Sequence, residues 1–318
     1  MLTYIARRLL LAIPVLFIVT LMIFVLLHVV PGDPGRSILG PEATPHDVMV
    51  FDREHGLNRP LPLQYVDWLW GAVRGDLGTS LTYDVPVTSL IEERLPATAE
   101  LAVGAIVVAM AIAVPAGIIA AVKKGRAADY ISTFAALSGL SIPQFWLGIL
   151  LILFFAVRLH WLPASGYVPI WQDPGANLAA MVMPIVVTGL QAAAVTMRLM
   201  RSSLLDVMSQ DYMRTARAKG LFEWVVTVKH GVRNALVPVL TVSGLQLAGL
   251  LGGLVITETI FVIPGFGQLI VQSILNKDFI TLQGAVLVAA VLVIVVNLVV
   301  DILYAVLNPR VRLGGGQA

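Results

Sequence analysis

The sequence predicts an all-α integral membrane protein with six transmembrane helices and a small extracytoplasmic domain between the first two spans. Three observations carry that prediction. Hydrophobic residues make up 58% of the chain and charged ones 13%, against about 25% charged in an ordinary soluble domain. Six runs are long and apolar enough to cross a bilayer, which takes about 20 residues. The basic residues are shared unevenly between alternate loops. With a mean hydropathy of +0.88, a water-soluble core has no means of hiding so much apolar surface.

The runs lie at 8–30, 98–122, 131–157, 178–200, 236–261 and 281–306. Arg7 and Arg8 precede the first, as in a secretory signal. Its apolar stretch exceeds the ~7–15 residues of a signal core, however, and ends in Val-Val-Pro-Gly-Asp-Pro where a small-x-small cleavage site would stand. It is therefore expected to be a retained span. The expected divisions are an N-terminus and first span at 1–30, an extracytoplasmic segment at 31–97, a core of spans two to six at 98–306 with a cytoplasmic loop at 201–235, and a cytoplasmic tail at 307–318.

Orientation follows from lysine and arginine, which favour cytoplasmic loops. Fourteen basic residues fall on the side of the N-terminus and seven on the other, five of the seven in the long 31–97 segment. Long loops translocate regardless of charge, so both termini are expected in the cytoplasm. The near-neutral total of +2 gives no basic surface for nucleic acid, and the absence of cysteine removes disulfides, thiolate metal sites and cysteine nucleophiles.

The outer segment has its own signals. Thr44-Pro45-His46-Asp47 reads as a helix start, with a threonine cap, proline at the first helical position and an acid closing the capping box. Tyr65, Trp68 and Trp70 cluster before Gly71, which suits headgroup contact, docking or packing within a small cap. Acids outnumber bases by eleven to five between 31 and 100, which keeps such a loop soluble.

On the cytoplasmic side, residues 201–238 hold the densest information. Ser209 is placed to cap a short helix from about Gln210 to Lys219, and Gly220 supplies a permissive stop. A second helix is expected to begin near Leu221 and feed the fifth span. Tyr212, Ala216 and Lys219 share one face at helical spacing. Ala216 and Ala218 allow close approach, so the segment reads as a peg for a groove.

Within the spans, Asn297 and Asp301 share a face of the sixth helix near the cytoplasmic interface, where pairing with a neighbouring helix is the expected role. Glu258 lies about 22 residues into the fifth span, a rise of ~33 Å on a continuous helix, which puts it at the outer mouth. Gln144, Gln191 and Gln246 suit either a wet pathway or helix–helix glue. Together with Glu258 they are the candidate pathway or gate residues. His28 and His160 read as interfacial, without metal-ligand company, so no metal site is expected. Gly244, Gly249, Gly252 and Gly253 offer small-residue packing in the fifth span, with Gly249 and Gly253 at small-xxx-small spacing. No phosphate-binding Gly-rich Lys-Ser/Thr loop, HExxH, GxSxG or intramembrane aspartate pair occurs, which argues against an enzyme.

The loop at 211–220, Asp-Tyr-Met-Arg-Thr-Ala-Arg-Ala-Lys-Gly, followed by His230, Arg233, Asn234 and Ala235, resembles the cytoplasmic EAA loop of ATP-binding-cassette importer permeases in its peptide and nickel version. The Glu, first Ala and Pro of the general motif are absent, and these departures are themselves similar to that version. GDLGTS at 75–80, ERLPATAEL at 93–101, SIPQFWLG at 141–148, TETIFVIPGFG at 257–267 and Asn308-Pro309-Arg310 are similar to the first permease subunit of that dipeptide, oligopeptide and nickel family. The resemblance implies a type I importer fold, with Asp211, Tyr212, Arg214, Thr215, Ala216, Arg217, Ala218, Lys219 and Gly220 as the coupling surface toward a cytoplasmic ATPase. It further implies a second homologous permease, two ATP-binding subunits, an extracytoplasmic substrate-binding protein and a bacterial inner-membrane setting. Cofactors are expected to be none in this chain, with ATP and Mg on the partner subunits. Short peptides are the expected cargo, with nickel, glutathione or another small ligand as the alternative; a stand-alone secondary transporter is the competing class.

Overall fold

The structure is a computed structural model that describes residues 2–29, 34–40 and 42–307. The expectations for residues 30–33 of the Val-Val-Pro-Gly-Asp-Pro element, for Asn308-Pro309-Arg310 and for the tail beyond 307 lie outside the described residues. In chain order, α1 (Leu2–Val29) is followed by α2 (Pro34–Leu39), α3 (Pro45–Glu54) and α4 (Leu61–Val73). Then come α5 (Val87–Val122), α6 (Ala127–Ser141) and α7 (Gln144–Leu151), the last continued by a wider π-helical stretch at Ile152–Arg158. After α8 (Pro174–Met208) and α9 (Asp211–Ala218), α10 (Glu223–Val225) runs through a π-helical stretch at Val226–Val232 into α11 (Arg233–Leu251). The described chain closes with α12 (Val255–Ile260), α13 (Phe266–Leu275) and α14 (Phe279–Leu307). An antiparallel bridge joins Thr79 and Pro86.

Five helical runs are long and apolar enough to cross a membrane: Ile5–Val29, Val87–Val122, Pro174–Met208, Glu223–Leu251 and Phe279–Ile302. A sixth arises if α6 and α7, bent by 97° with their continuation to Arg158, form one broken span. The sequence reading of 131–157 as a single rod is thereby corrected. Pro143 has no N–H to donate and disfavours helical backbone before it, and Ile142 is accordingly extended at φ −78°, ψ 121°.

The expected fifth span, 236–261, also needs correction. Its helix ends at Leu251, and Gly253 adopts φ +145°, which a side chain would strain. Among the described residues Gly249 and Gly253 therefore make no packing seam: a Cβ at Gly249 would meet nothing within 4 Å, and Gly253 lies beyond the helix. Close packing does occur at Gly244, where a Cβ would collide with Val300. Within the described residues the other expected runs fall inside α1, α5, α8 and α14, with α5 starting earlier, at Val87, and α8 running on to Met208. The short helix α13 was not anticipated.

The chain divides into two compact units. The first comprises Met1–Thr98, Gly252–Val255 and Pro264–Ile294. Its core is built from Leu77, Val87, Leu90, Ile91, Phe266, Leu269 and Ala285. The capping box at Thr44 forms as its spacing demands, the Thr44 hydroxyl accepting from the Asp47 N–H while Asp47 takes the Thr44 N–H. Those Thr44 hydrogen bonds hold the exposed Asp47 carboxyl below its ordinary range. Of the aromatic trio, Tyr65 is buried, sharing a 2.9 Å hydrogen bond with Thr20, whereas Trp70 is exposed beneath the Arg74 guanidinium.

The second unit comprises Ala99–Leu251, Ile256–Ile263 and Val295–Ala318. Here α5, α6 and α8 meet across an alanine seam of Ala109, Ala113, Ala136, Ala193 and Ala194. Glycines let the backbones touch: a Cβ at Gly189 would lie 2.8 Å from the Ala105 carbonyl, and one at Gly117 2.9 Å from the Met197 carbonyl. Lipid tails are as apolar as leucine, so helices in a bilayer gain from this close fit more than from hydrophobicity. At one end of the seam, Arg201 grips Asp129 with two hydrogen bonds of 2.6 and 2.8 Å.

Candidate functional site

The segment between α8 and α11 turns the chain through a short exposed helix. Its start departs from the sequence reading: Ser209 does not cap α9, because its hydroxyl donates to the Asp206 carbonyl at 2.7 Å. Gln210 takes the N-cap position with extended backbone and no side-chain cap bond. Asp211 in the first turn places its charge at the favourable N-terminal end. At the other end Gly220 adopts φ +77°, where its missing Cβ permits the reversal toward α10.

The faces of α9 follow from its seating. Met213 and Ala216 are buried against Val226, with Val207 and Met208 packed around them. Ala216, read from sequence as part of the outward coupling surface, therefore faces its own chain, which corrects that assignment. The outward residues are Asp211, Tyr212, Arg214, Thr215, Ala218, Lys219 and Gly220, all exposed, with Arg217 half-buried. Arg217 forks onto Glu223, its Nη2 2.9 Å and its Nε 3.2 Å from the carboxylate, and this partner holds the guanidinium proton more firmly still. Asn234 donates to the Tyr212 hydroxyl at 3.1 Å and also to the His230 carbonyl. Sequence reasoning missed Glu223 and Asn234 as braces of the helix. It also passed over Phe222 and Trp224, which are 76% and 70% exposed; two aromatics inside a charged loop were the available signal.

The pathway candidates separate on inspection. Gln144 opens α7 and donates through Nε2 to Thr188 at 3.0 Å and Thr257 at 2.6 Å, while the two threonine hydroxyls lie 3.2 Å apart. This knot ties α7, α8 and α12 together in the manner of interhelical polar glue. Gln246 plays a smaller version of the same part, accepting from Thr196 at 3.2 Å. Gln191 is exposed, and with Gln144 it lines a largely apolar cavity of about 550 Å³ bounded by α5, α6, α7 and α8. Glu258 is fully buried in α12. Its expected place at an outer mouth rested on one continuous helix, and the break after Leu251 removes that basis. Asp301 is half-buried. His28 hydrogen-bonds the Phe24 carbonyl and His160 adopts φ +56°. Among the described residues, no group of three potential metal ligands is assembled.

Comparison with known proteins supplies the remaining observations. Residues 113–313 match the family described as binding-protein-dependent transport system inner membrane component, and residues 1–102 match its N-terminal companion family. The chain is 43% identical over 312 residues to the glutathione transport system permease protein GsiC of Escherichia coli (strain K12), covering 98% of this chain and 99% of that protein. It is 40% identical over 336 residues to the dipeptide transport system permease protein DppB of the same strain, again covering 98% and 99%. An inward-facing structure of the MetNI methionine ABC transporter aligns with a TM-score of 0.56 at 16% identity, covering 70% of this chain and 97% of that one. That last likeness bears on the fold.

Proposed function

Because the chain belongs to the family of inner membrane components of binding-protein-dependent transport systems, we propose that it forms half of a translocation pathway for short peptides. It is a multi-pass permease subunit of an ABC importer, and ATP hydrolysis takes place on partner subunits. The observation that carries the cargo is the near full-length likeness to permeases named for glutathione and dipeptide transport. Glutathione is itself a γ-linked tripeptide, so both names point to one chemical class. Nickel is the competing cargo.

In this reading the outward face of α9 docks on a cytoplasmic ATP-binding subunit. Asp211, Arg214, Thr215, Ala218 and Lys219 supply the contact, Tyr212 and Arg217 hold its shape, and Gly220 lets the chain turn back. Met213 and Ala216 fasten the helix to the permease, so closure of the ATPase subunits is passed on to α8 and α11. ATP and Mg belong to those subunits. A second, homologous permease completes the pathway, two ATPase subunits drive it, and an external binding protein delivers cargo to the 31–97 segment. Both termini then face the cytoplasm, in keeping with the distribution of basic residues.

The test is uptake into proteoliposomes containing the complete complex. Labelled di- and tripeptides, including glutathione, are expected to accumulate with ATP and the binding protein, and uptake of nickel alone would overturn the cargo.

A further inference from the structure

We propose that α4 lies within the bilayer, in the leaflet on the side of the 31–97 segment, with an apolar stripe of Leu63, Val66, Trp70 and Val73 against lipid acyl chains. The stripe follows from helical spacing. Residues 63, 66, 70 and 73 recur at intervals of three and four and so share one face of α4. They are 53%, 58%, 59% and 74% exposed. The opposite face is turned to the protein, with Tyr65 buried and Ala72 packed on the core around Leu77 and Val87. In water, four large apolar side chains in one row form a patch of the kind that soluble surfaces avoid.

Depth identifies what covers the stripe. Arg7 and Arg8 mark one end of the first span. About 30 Å of hydrocarbon takes about 20 helical residues, so the apolar layer entered at Leu9 is left near His28. Thr20 lies eight residues before His28, ~12 Å inside that boundary, and a tilt of ~20° shortens this only slightly. The Tyr65 hydroxyl reaches the same depth, 2.9 Å from the Thr20 hydroxyl and donating to the Phe17 carbonyl at 3.4 Å. Its ring packs on Phe17 and Phe24. By standard bond lengths a tyrosine side chain spans only about half of ~12 Å, so the α4 backbone at Tyr65 is itself inside the boundary. The far end of the helix agrees, since the core on which Ala72 packs includes Ala285, six residues past the start of the Phe279–Ile302 span. A water-soluble protein has no access to hydrocarbon at that depth, whereas acyl chains fill it.

Polar side chains line one edge of the stripe. Gln64 donates to the Leu57 and Arg59 carbonyls at 2.9 and 2.8 Å, Asp67 pairs with Arg59 at 3.0 Å, and the Arg74 guanidinium sits 4.4 Å over the Trp70 ring. A helix with one charged edge and one apolar face lies in the plane of the membrane interface, its apolar face about 5–10 Å into the headgroup and acyl boundary. Tryptophan beside arginine suits headgroup level. The placement is independent of the cargo.

This chain has no cysteine, so Leu63→Cys, Val66→Cys and Val73→Cys each give it a single site for a nitroxide label. Glu54→Cys, at the exposed charged end of α3, is the water-facing reference. The complete transporter complex is placed in nanodiscs of phosphatidylethanolamine and phosphatidylglycerol without its binding protein, and wild-type complex labelled in parallel gives the background. Electron paramagnetic resonance then reads collisions with oxygen, which enters hydrocarbon, and with the chelate nickel ethylenediaminediacetate, which stays in water. Collisions with the chelate at 63, 66 and 73 are expected to be at least about tenfold below those at 54, because a polar complex is excluded from hydrocarbon, and collisions with oxygen are expected to be higher than at 54. Chelate collisions equal to those at 54 would overturn the proposal by placing the stripe in water. Low collisions with both reagents would also overturn it, by placing protein such as a second permease over the stripe, as would exclusion of the chelate that appears only when the binding protein is added.

Discussion

Two polar loops of this chain are built on opposite principles. The loop at 76–86 closes on Asp278, which is 1% exposed. Its carboxylate accepts from the Ser80 hydroxyl at 2.5 Å, the Leu81 and Thr82 N–H groups at 3.2 and 3.3 Å, and the Thr281 hydroxyl and N–H at 2.8 and 3.1 Å. Every oxygen is occupied from within. The α9 segment is braced by Arg217 and Glu223, whose side chains are 36% and 60% exposed, and it leaves a whole helical face to the outside. The first loop is closed by hydrogen bonds from within the chain, whereas the second, in the reading proposed above, is completed by the surface of an ATP-binding subunit. If that reading holds, burial of the polar brace is what separates the two loops.

Asp278→Ala is the strongest way to break that contrast. It strands the Ser80 and Thr281 hydroxyls and up to three N–H groups, and removing one side of a buried charged network costs about 3–5 kcal/mol. Thermal unfolding of the purified complex and protease cleavage within 76–86 measure it, with Asp278→Asn, which keeps one acceptor oxygen, falling in between. Wild-type stability in the alanine variant would remove the distinction between the two loops.

Next in size is the seat of α9. Met213 is fully buried, and Met213→Ala should weaken the docking of the helix by about 2–5 kcal/mol, seen as faster amide exchange over 211–218. Ala218→Trp on the outward face should leave that exchange unchanged while lowering retention of the ATPase subunit at least about tenfold, which is ~1.4 kcal/mol. Equal retention would sink the assignment of this face as the contact. Smaller again is Arg217→Ala, because an exposed ion pair contributes about 0–1 kcal/mol; local exchange near 217–223 should rise only slightly.

The same contrast explains what the sequence disclosed. Span positions were legible because apolar run length is a property of contiguous residues, and the 211–220 peg was legible because Gly220 and the small residues advertise a turn. The 97° bend was foreshadowed by Pro143, yet a bend's size depends on the Gln144, Thr188 and Thr257 hydrogen bonds, which join residues 44 and 113 positions apart. Asp278 was invisible for the same reason, since Ser80 lies 198 positions away. Ala216 was misassigned because one helical face looks much like another until the element that packs on it is known. Gly189 and Gly117 escaped while Gly249 was singled out, because closeness to another backbone has no local signature.

A third loop lies between the two extremes and gives the mildest test. The Tyr167 hydroxyl donates to Glu100 at 3.1 Å. Burial foremost, and then the negative charge and hydrogen bond of Glu100, push the phenol up from 10.0 to about 12. The phenol is neutral when protonated, so the unfolded chain gives up this proton before the folded one does as pH rises. Its contribution to stability is therefore complete below the unfolded pKa near 10 and is lost as pH climbs through the folded value near 12. Difference absorbance between wild type and Tyr167→Phe should show tyrosinate forming only toward that upper value, and Glu100→Gln should bring it down by removing the charge while leaving an acceptor. Tyr167 ionising near 10 would move this loop toward the exposed one; ionisation only toward 12 would move it toward the loop closed from within.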